Sequence, residues 1–182
     1  MLATSPFDKL KLRHYPALKQ GRAYNNADSL LVEAALERGV AGHQTLVIND
    51  EFGALCVALG PAGLWTDSYL AKLSLDRNLA LNNAAPVKVV WSTDDLSSAV
   101  PAKACAAAII RVPKQQAYFQ FQLSQLNRYL PVGALVLAAG MDKHLTAGTA
   151  ELLERYIGPT ERHRGQRKAR LFSAVRDDSC VE

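Results

Sequence analysis

Short apolar runs alternate with helical patterns from Thr45 to Tyr156, and this alternation restricts the possible folds more than any other feature of the chain. Parallel strands need a crossover between them, so strands interleaved with helices build an open α/β sheet. Leu46-Val47-Ile48, Gly63–Thr66, Val87–Ser92, Ala106–Val112 and Gly133–Ala139 read as five strands. The fourth, AAAIIRV, is continuous enough to be buried on both faces. Between them, Ala54–Leu59 reads as a small-residue helix, and Ser68 as the cap of a helix through Leu81. A further helix from Gln115 to Leu130 carries Phe119, Leu123, Leu126 and Leu130 at helical spacing. Upstream, Leu10–His14 is a short candidate strand, and Asp28 caps a helix to Arg38 that Gly39 and Gly42 end. Downstream, Thr146 caps a helix to Tyr156, and Thr160–Arg164 pairs with Lys168–Val175 as a hairpin around Gly165. The expected fold is one mostly parallel open sheet with helices on both faces and a C-terminal antiparallel hairpin.

At 182 residues the chain suits a single domain, with a core over about residues 10–176 and a boundary at Asp177–Glu182. No apolar run reaches the roughly 18 residues of a membrane span. MLATSPFDKLKLR also lacks the apolar core of a signal peptide, so a cytoplasmic setting without a membrane partner is expected. Cys56, Cys105 and Cys180 are scattered, none in a CxxC, and the four histidines are dispersed. Neither a metal site nor a disulfide framework is indicated. Cys56 reads as a buried small hydrophobe.

The strand–turn–helix TLVINDEFGALCVAL is the place to look for chemistry. In doubly wound folds this first turn carries glycines, which let backbone amides approach an anionic ligand group at a helix N-terminus. Here only Gly53 remains, and Asp50 and Glu51 stand on the approach. No GxSxG elbow, GxxxxGK[ST] phosphate loop or HExxH helix occurs elsewhere. His144, after the fifth strand, reads as a loop residue near the cleft mouth.

The net charge of +4 is concentrated in one place. ERHRGQRKAR, Glu161–Arg170, carries five basic residues against one acid, so the rest of the chain balances to zero. Such a cluster fits either an anionic partner or a solvated hairpin. As RNA-binding candidates it offers Arg162, Arg164, Arg167, Lys168 and Arg170. Lys9, Lys11 and Arg13 form a second patch, with His14 and Tyr15 as rings that could stack on an unpaired base.

The runs LVINDEFGALCVAL, WTDSYLAKLSLDRNLALNN and IIRVPKQQA, with GPTERHRGQRKARL, together resemble a known family. It is the N-terminal domain of bacterial rRNA guanine-N2 methyltransferases of the RlmG/RsmC type, closest to the large-subunit RlmG branch. The resemblance runs from about Leu10 to Val175. It implies a class I S-adenosylmethionine-dependent methyltransferase-like (Rossmann-like) fold. In that family two such domains stand in tandem, and only the second is catalytic. The chain would then be one degenerate domain, residues 1–182, without a cofactor of its own. Its partners would be rRNA and a C-terminal catalytic domain that uses S-adenosylmethionine and lies outside this chain.

Residue by residue, the resemblance implies lost chemistry. Active members need an acidic residue and three glycines in a D-x-G-x-G-x-G turn. Anchored on Gly53, the acidic position is Val47, and the first two glycine positions are Asn49 and Glu51. Asp67 stands where the family holds the cofactor ribose; the plainer reading, favoured here, is that it helps Ser68 start a helix. Active members also need Asn-Pro-Pro-aromatic after the fourth strand, to accept from the target amine and stack on a flipped base. This chain has Arg111-Val112-Pro113-Lys114, with neither amide nor ring, and two cations that would repel a sulfonium. The expected function is a non-catalytic domain that supports rRNA binding. The alternatives are a self-sufficient methyltransferase with an atypical site, and a purely structural scaffold.

Overall fold

A computed structural model describes residues 4–17 and 21–180 of the chain. Seven strands form one sheet in the order β3-β2-β1-β4-β5-β7-β6. Strands β1 (Thr45–Ile48), β2 (Gly63–Thr66), β3 (Lys88–Trp91), β4 (Ala107–Arg111) and β5 (Leu135–Met141) are parallel. β7 (Ala169–Val175) runs antiparallel between β5 and the short edge strand β6 (Thr160–Arg162). The alternating reading and the terminal hairpin are both present, with β5 reaching two residues further than its apolar run suggested.

Period-two alternation sends successive side chains to opposite faces. On β4, Ala107 and Ile109 pack with α1 (Asn26–Glu37), α2 (Ala54–Leu59) and α3 (Tyr69–Leu81). Ala108 and Ile110 pack with α4 (Gln116–Tyr129) and α5 (Thr149–Tyr156) on the other face. Both faces are therefore covered, which explains the unbroken hydrophobicity of the central strands.

Several local expectations are corrected. Asn25, not Asp28, caps α1: its side chain accepts from the Ala27 and Asp28 amides, while Asp28 reaches back to the Asn25 N–H at 2.8 Å. Asp28 is thus the third residue of a capping box. Gly148, not Thr146, stands at the α5 cap position, and Thr146 contributes its carbonyl to the Thr149 amide and hydroxyl. The hairpin reverses at Arg167-Lys168 rather than around Gly165. Gln166 and Ala169 exchange two backbone hydrogen bonds of 2.9 Å across that pair, and both central residues have positive φ, 52° and 62°. This is type I′ geometry, which suits the twist of the strands but is normally met by Asn-Gly.

Leu10–His14 forms no strand among the described residues, and Leu10 lies in a bend. Its backbone is held by two helical amides instead. Asn82 bonds the Lys11 N–H and carbonyl at 2.9 and 2.8 Å, and Asn78 bonds those of Arg13 at 2.8 and 3.0 Å. Asparagines four residues apart lie on one helix face, so they can clasp alternate residues of an extended strap.

Candidate functional site

The strand order reverses between β1 and β4, and the crevice beyond the carboxyl ends of such strands is where open α/β sheets bind ligands. A cleft of about 460 Å³ lies there. It brings the turn residues Asn49, Asp50 and Glu51 together with Asp67 and Arg111-Val112-Pro113-Lys114. The two candidate stretches, far apart in sequence, therefore share one cleft.

The turn is organised around side chains. Asn49 adopts φ +62°, a left-handed conformation that asparagine tolerates better than most residues. Its amide nitrogen donates to the Arg111 carbonyl and to Gln122 Oε1, both at 2.9 Å. Gln122 Nε2 donates back to Asn49 Oδ1 at 2.9 Å. This reciprocal amide pair ties β1 to β4 and α4 at the cleft floor, and Gln122 is fully buried. Gly53 survives for a different reason. With φ +87°, a Cβ there would stand 2.8 Å from the Leu75 Cα, so the passage of α3 requires glycine.

The expectation for Asp50 is corrected. Only Glu51 is exposed on the approach; Asp50 is turned inward and accepts from the Cys56 N–H at 2.9 Å, closing the first turn of α2. Burial, and then the charge of Asp28, push its carboxyl up to about 6. Cys56 is itself buried, and burial followed by the Asp50 charge raises its thiol well above the ordinary value. It packs as the small hydrophobe expected and has no thiolate character.

Arg111 is also corrected. Its guanidinium pairs with Asp28 at 2.5 Å, with the two side chains 15% and 7% exposed. Its charge is answered within the fold, and Lys114 is the exposed cation of that motif. Asp67 stands directly before Ser68, the cap residue of α3. Ser68 Oγ alone accepts from Ala71 N–H, at 3.2 Å, and Asp67 is exposed at the cleft wall. His144 does line the cleft. Partial desolvation, then Lys114, Lys143 and Arg111, hold its imidazole below the ordinary range.

Of the basic hairpin, Arg162 pairs with Glu151 at 2.8 Å, Arg167 with Glu33 at 3.2 Å and Arg170 with Asp142 at 3.8 Å. The Arg167 carbonyl also accepts from Asn26 Nδ2, docking the hairpin tip on α1. Among the described residues, Arg164 and Lys168 have no acidic partner within 4 Å. Each of the two candidate rings has a neighbour within the fold: the His14 ring lies tilted against Phe52 with centroids 3.9 Å apart, and the Arg77 guanidinium lies 3.8 Å from the Tyr15 ring centre.

Sequence reasoning missed Asp28 as an ion-pair partner, and it missed Gln122, Asn78 and Asn82 altogether. Gln122 lies three residues after the core residue Phe119, and Asn78 three after Leu75, so both stand in core register. An uncharged amide at such a position is the signal that was available.

At the cleft, Asn49 is bonded across the floor, and Glu51 is acidic and exposed. Among the described residues no helix is long and apolar enough to cross a membrane, and no three His, Cys, Asp or Glu side chains are grouped to hold a metal.

Known proteins align with this architecture along most of its length. Ribosomal RNA large subunit methyltransferase G of Alcanivorax borkumensis is 36% identical over 185 residues, covering 93% of this chain and 46% of that protein. The protein of the same name from Pseudomonas paraeruginosa is 40% identical over 187 residues, covering 95% and 47%. The chain therefore spans about half the length of these curated relatives. Among solved structures, the T. thermophilus 16S rRNA N2 methyltransferase RsmC in complex with AdoMet and guanosine superposes with a TM-score of 0.67 at 22% identity, over 85% of this chain and 44% of that one. A precorrin-6y C5,15-methyltransferase from Geobacter metallireducens gives 0.63 at 9% identity, over 93% and 96%. At these identities the likeness establishes the fold, that of class I S-adenosylmethionine-dependent methyltransferases. The family described as RLMG N-terminal domain matches residues 1–178, and the chain belongs to it.

Proposed function

We propose that this chain is a non-catalytic, methyltransferase-like domain that binds no S-adenosylmethionine. In this reading it supports rRNA binding, and the catalytic half, of a cytoplasmic rRNA guanine-N2 methyltransferase. The observation that carries the reading is the Asn49–Gln122 amide pair. It occupies the floor of the cleft with hydrogen bonds that a cofactor would have to displace, and an unpaired buried amide costs about 1–3 kcal/mol. Glu51 adds repulsion toward any carboxylate entering beside it. The rRNA partner follows from the curated relatives above, which are named as rRNA methyltransferases.

Calorimetric titration of the chain with S-adenosylmethionine, and then with a single-stranded rRNA fragment at two salt concentrations, tests both halves of the reading. No cofactor heat together with salt-sensitive RNA binding is the expected result. Saturable cofactor binding at micromolar levels would return the domain to the catalytic class. Absence of RNA binding would leave a scaffold.

A further inference from the structure

We propose that the N-terminal strap and helix α3 together form a contact for single-stranded RNA. In it Lys11, Arg13 and Arg77 meet phosphates, and a hollow beside Tyr15 receives one unpaired base. The proposal rests on the reading of the domain as an RNA-holding module and names the surface that does the holding.

Three observations converge on this surface. First, the strap alternates with period two: Lys9, Lys11 and Arg13 are exposed, while Leu10 and Leu12 pack against the core on the α1–α3 face. The Asn78 and Asn82 clasps bind strap backbone only, so the register is fixed while the basic side chains stay available. Second, no acidic group lies within 4 Å of the Lys11, Arg13 or Arg77 head groups among the described residues, whereas three of the five hairpin cations are paired. A cation already paired with a carboxylate must exchange that partner for a phosphate, while an unpaired one releases counterions outright. Third, a hollow of about 530 Å³ opens beside these cations, lined by Arg13, His14, Tyr15, Arg77, Ala80 and Leu81. No acidic side chain lines it among the described residues.

Arg77 is the centre of the site. One face of its guanidinium is backed by Tyr15 at 3.8 Å, and the residue is otherwise exposed. A planar cation fixed in this way offers its second face for stacking, and unpaired bases stack on arginine planes as they do on aromatic rings. The apolar floor of Ala80 and Leu81 suits a base and gives nothing to a phosphate alone. A duplex keeps its bases inside the helix, so the site prefers single strands.

The test is fluorescence anisotropy of the whole chain with a labelled RNA of about 15 nucleotides, single-stranded and annealed, at about 50 and 200 mM salt. Lys11→Gln, Arg13→Gln and Arg77→Gln are combined in one variant; Arg164→Gln with Lys168→Gln on the hairpin is the comparison. Thermal melting by circular dichroism checks that both variants fold. We expect the strap variant to bind single strands at least about tenfold more weakly. Its slope of log affinity against log salt should fall by about 2, because three phosphates would no longer be neutralised. The hairpin variant should change less than about twofold. Loss confined to the hairpin variant would overturn this proposal while leaving the RNA-holding reading intact. A wild-type chain without salt-sensitive RNA binding would overturn both.

Discussion

The cleft floor and the terminal hairpin both gather polar and charged residues, and in the sequence both look like sites. Their physical situations are opposite. At the floor, Asp28 and Arg111 meet at 2.5 Å with little exposure, Asp50 is buried on an amide, and Asn49 and Gln122 satisfy one another. At the hairpin, Arg162 and Glu151 meet at 2.8 Å with more than half of each side chain in water. Buried charges and amides are bound to their partners because nothing else solvates them, so they belong to the fold. Exposed pairs are screened and exchangeable, and they contribute little to stability. The polar groups of the cleft floor are thus held by one another, whereas those of the hairpin are open to exchange.

The sharpest test of this contrast is Arg111→Ala. It leaves the Asp28 carboxylate buried without its partner, and should lower the unfolding free energy by about 3–5 kcal/mol in urea denaturation. A loss below about 1 kcal/mol would place the pair with the surface bridges and erase the distinction.

Asp50 gives the next largest effect, and it depends on pH. Its carboxyl is raised from 3.8 to about 6 on folding, chiefly by burial. The folded state therefore holds an extra proton between those values. The stability this group contributes is fully present below about pH 4 and is lost as pH rises through 6, amounting to about 3 kcal/mol. Asp50→Asn keeps an oxygen for the Cys56 amide and removes the titration. Its stability relative to wild type should rise by about that amount between about pH 4 and 7. Parallel pH–stability curves for the two proteins would show that the carboxyl is not buried as described.

On the hairpin the effects are small and can differ in sign. Lys168→Gly relieves a left-handed lysine in the type I′ turn and should raise stability by about 0.5–1 kcal/mol, read as a higher melting temperature. Arg162→Gln should cost less than about 0.5 kcal/mol despite breaking a 2.8 Å pair. A larger loss would mean that this exposed bridge acts like the buried one.

Much of the fold was legible because its signals are local. Apolar runs such as Ala107–Arg111 and helix spacings such as Phe119, Leu123 and Leu126 need only the chain's own periodicity to be read. That Asn49 and Glu51 are not glycines is likewise read directly from the chain. Hidden from that view were the partners. Asn49 finds Gln122 across 73 residues, Arg111 finds Asp28 across 83, and Lys11 finds Asn82 across 71. The strap was read as a strand because its alternation is that of a strand, although helix side chains supply its partners.

The sequence by itself therefore determined the order of strands and helices, the terminal hairpin, the absence of glycine at Asn49 and Glu51 and the place where the net charge accumulates. These follow from backbone preferences and burial patterns that act over a few residues. Only the tertiary structure decided which charges are available. The arginines that dominate the sequence are largely paired with Glu33, Asp142 and Glu151, while the less conspicuous Lys11, Arg13 and Arg77 are left without acids among the described residues. Charge is counted along the chain, but its availability depends on what folding brings within a few ångströms.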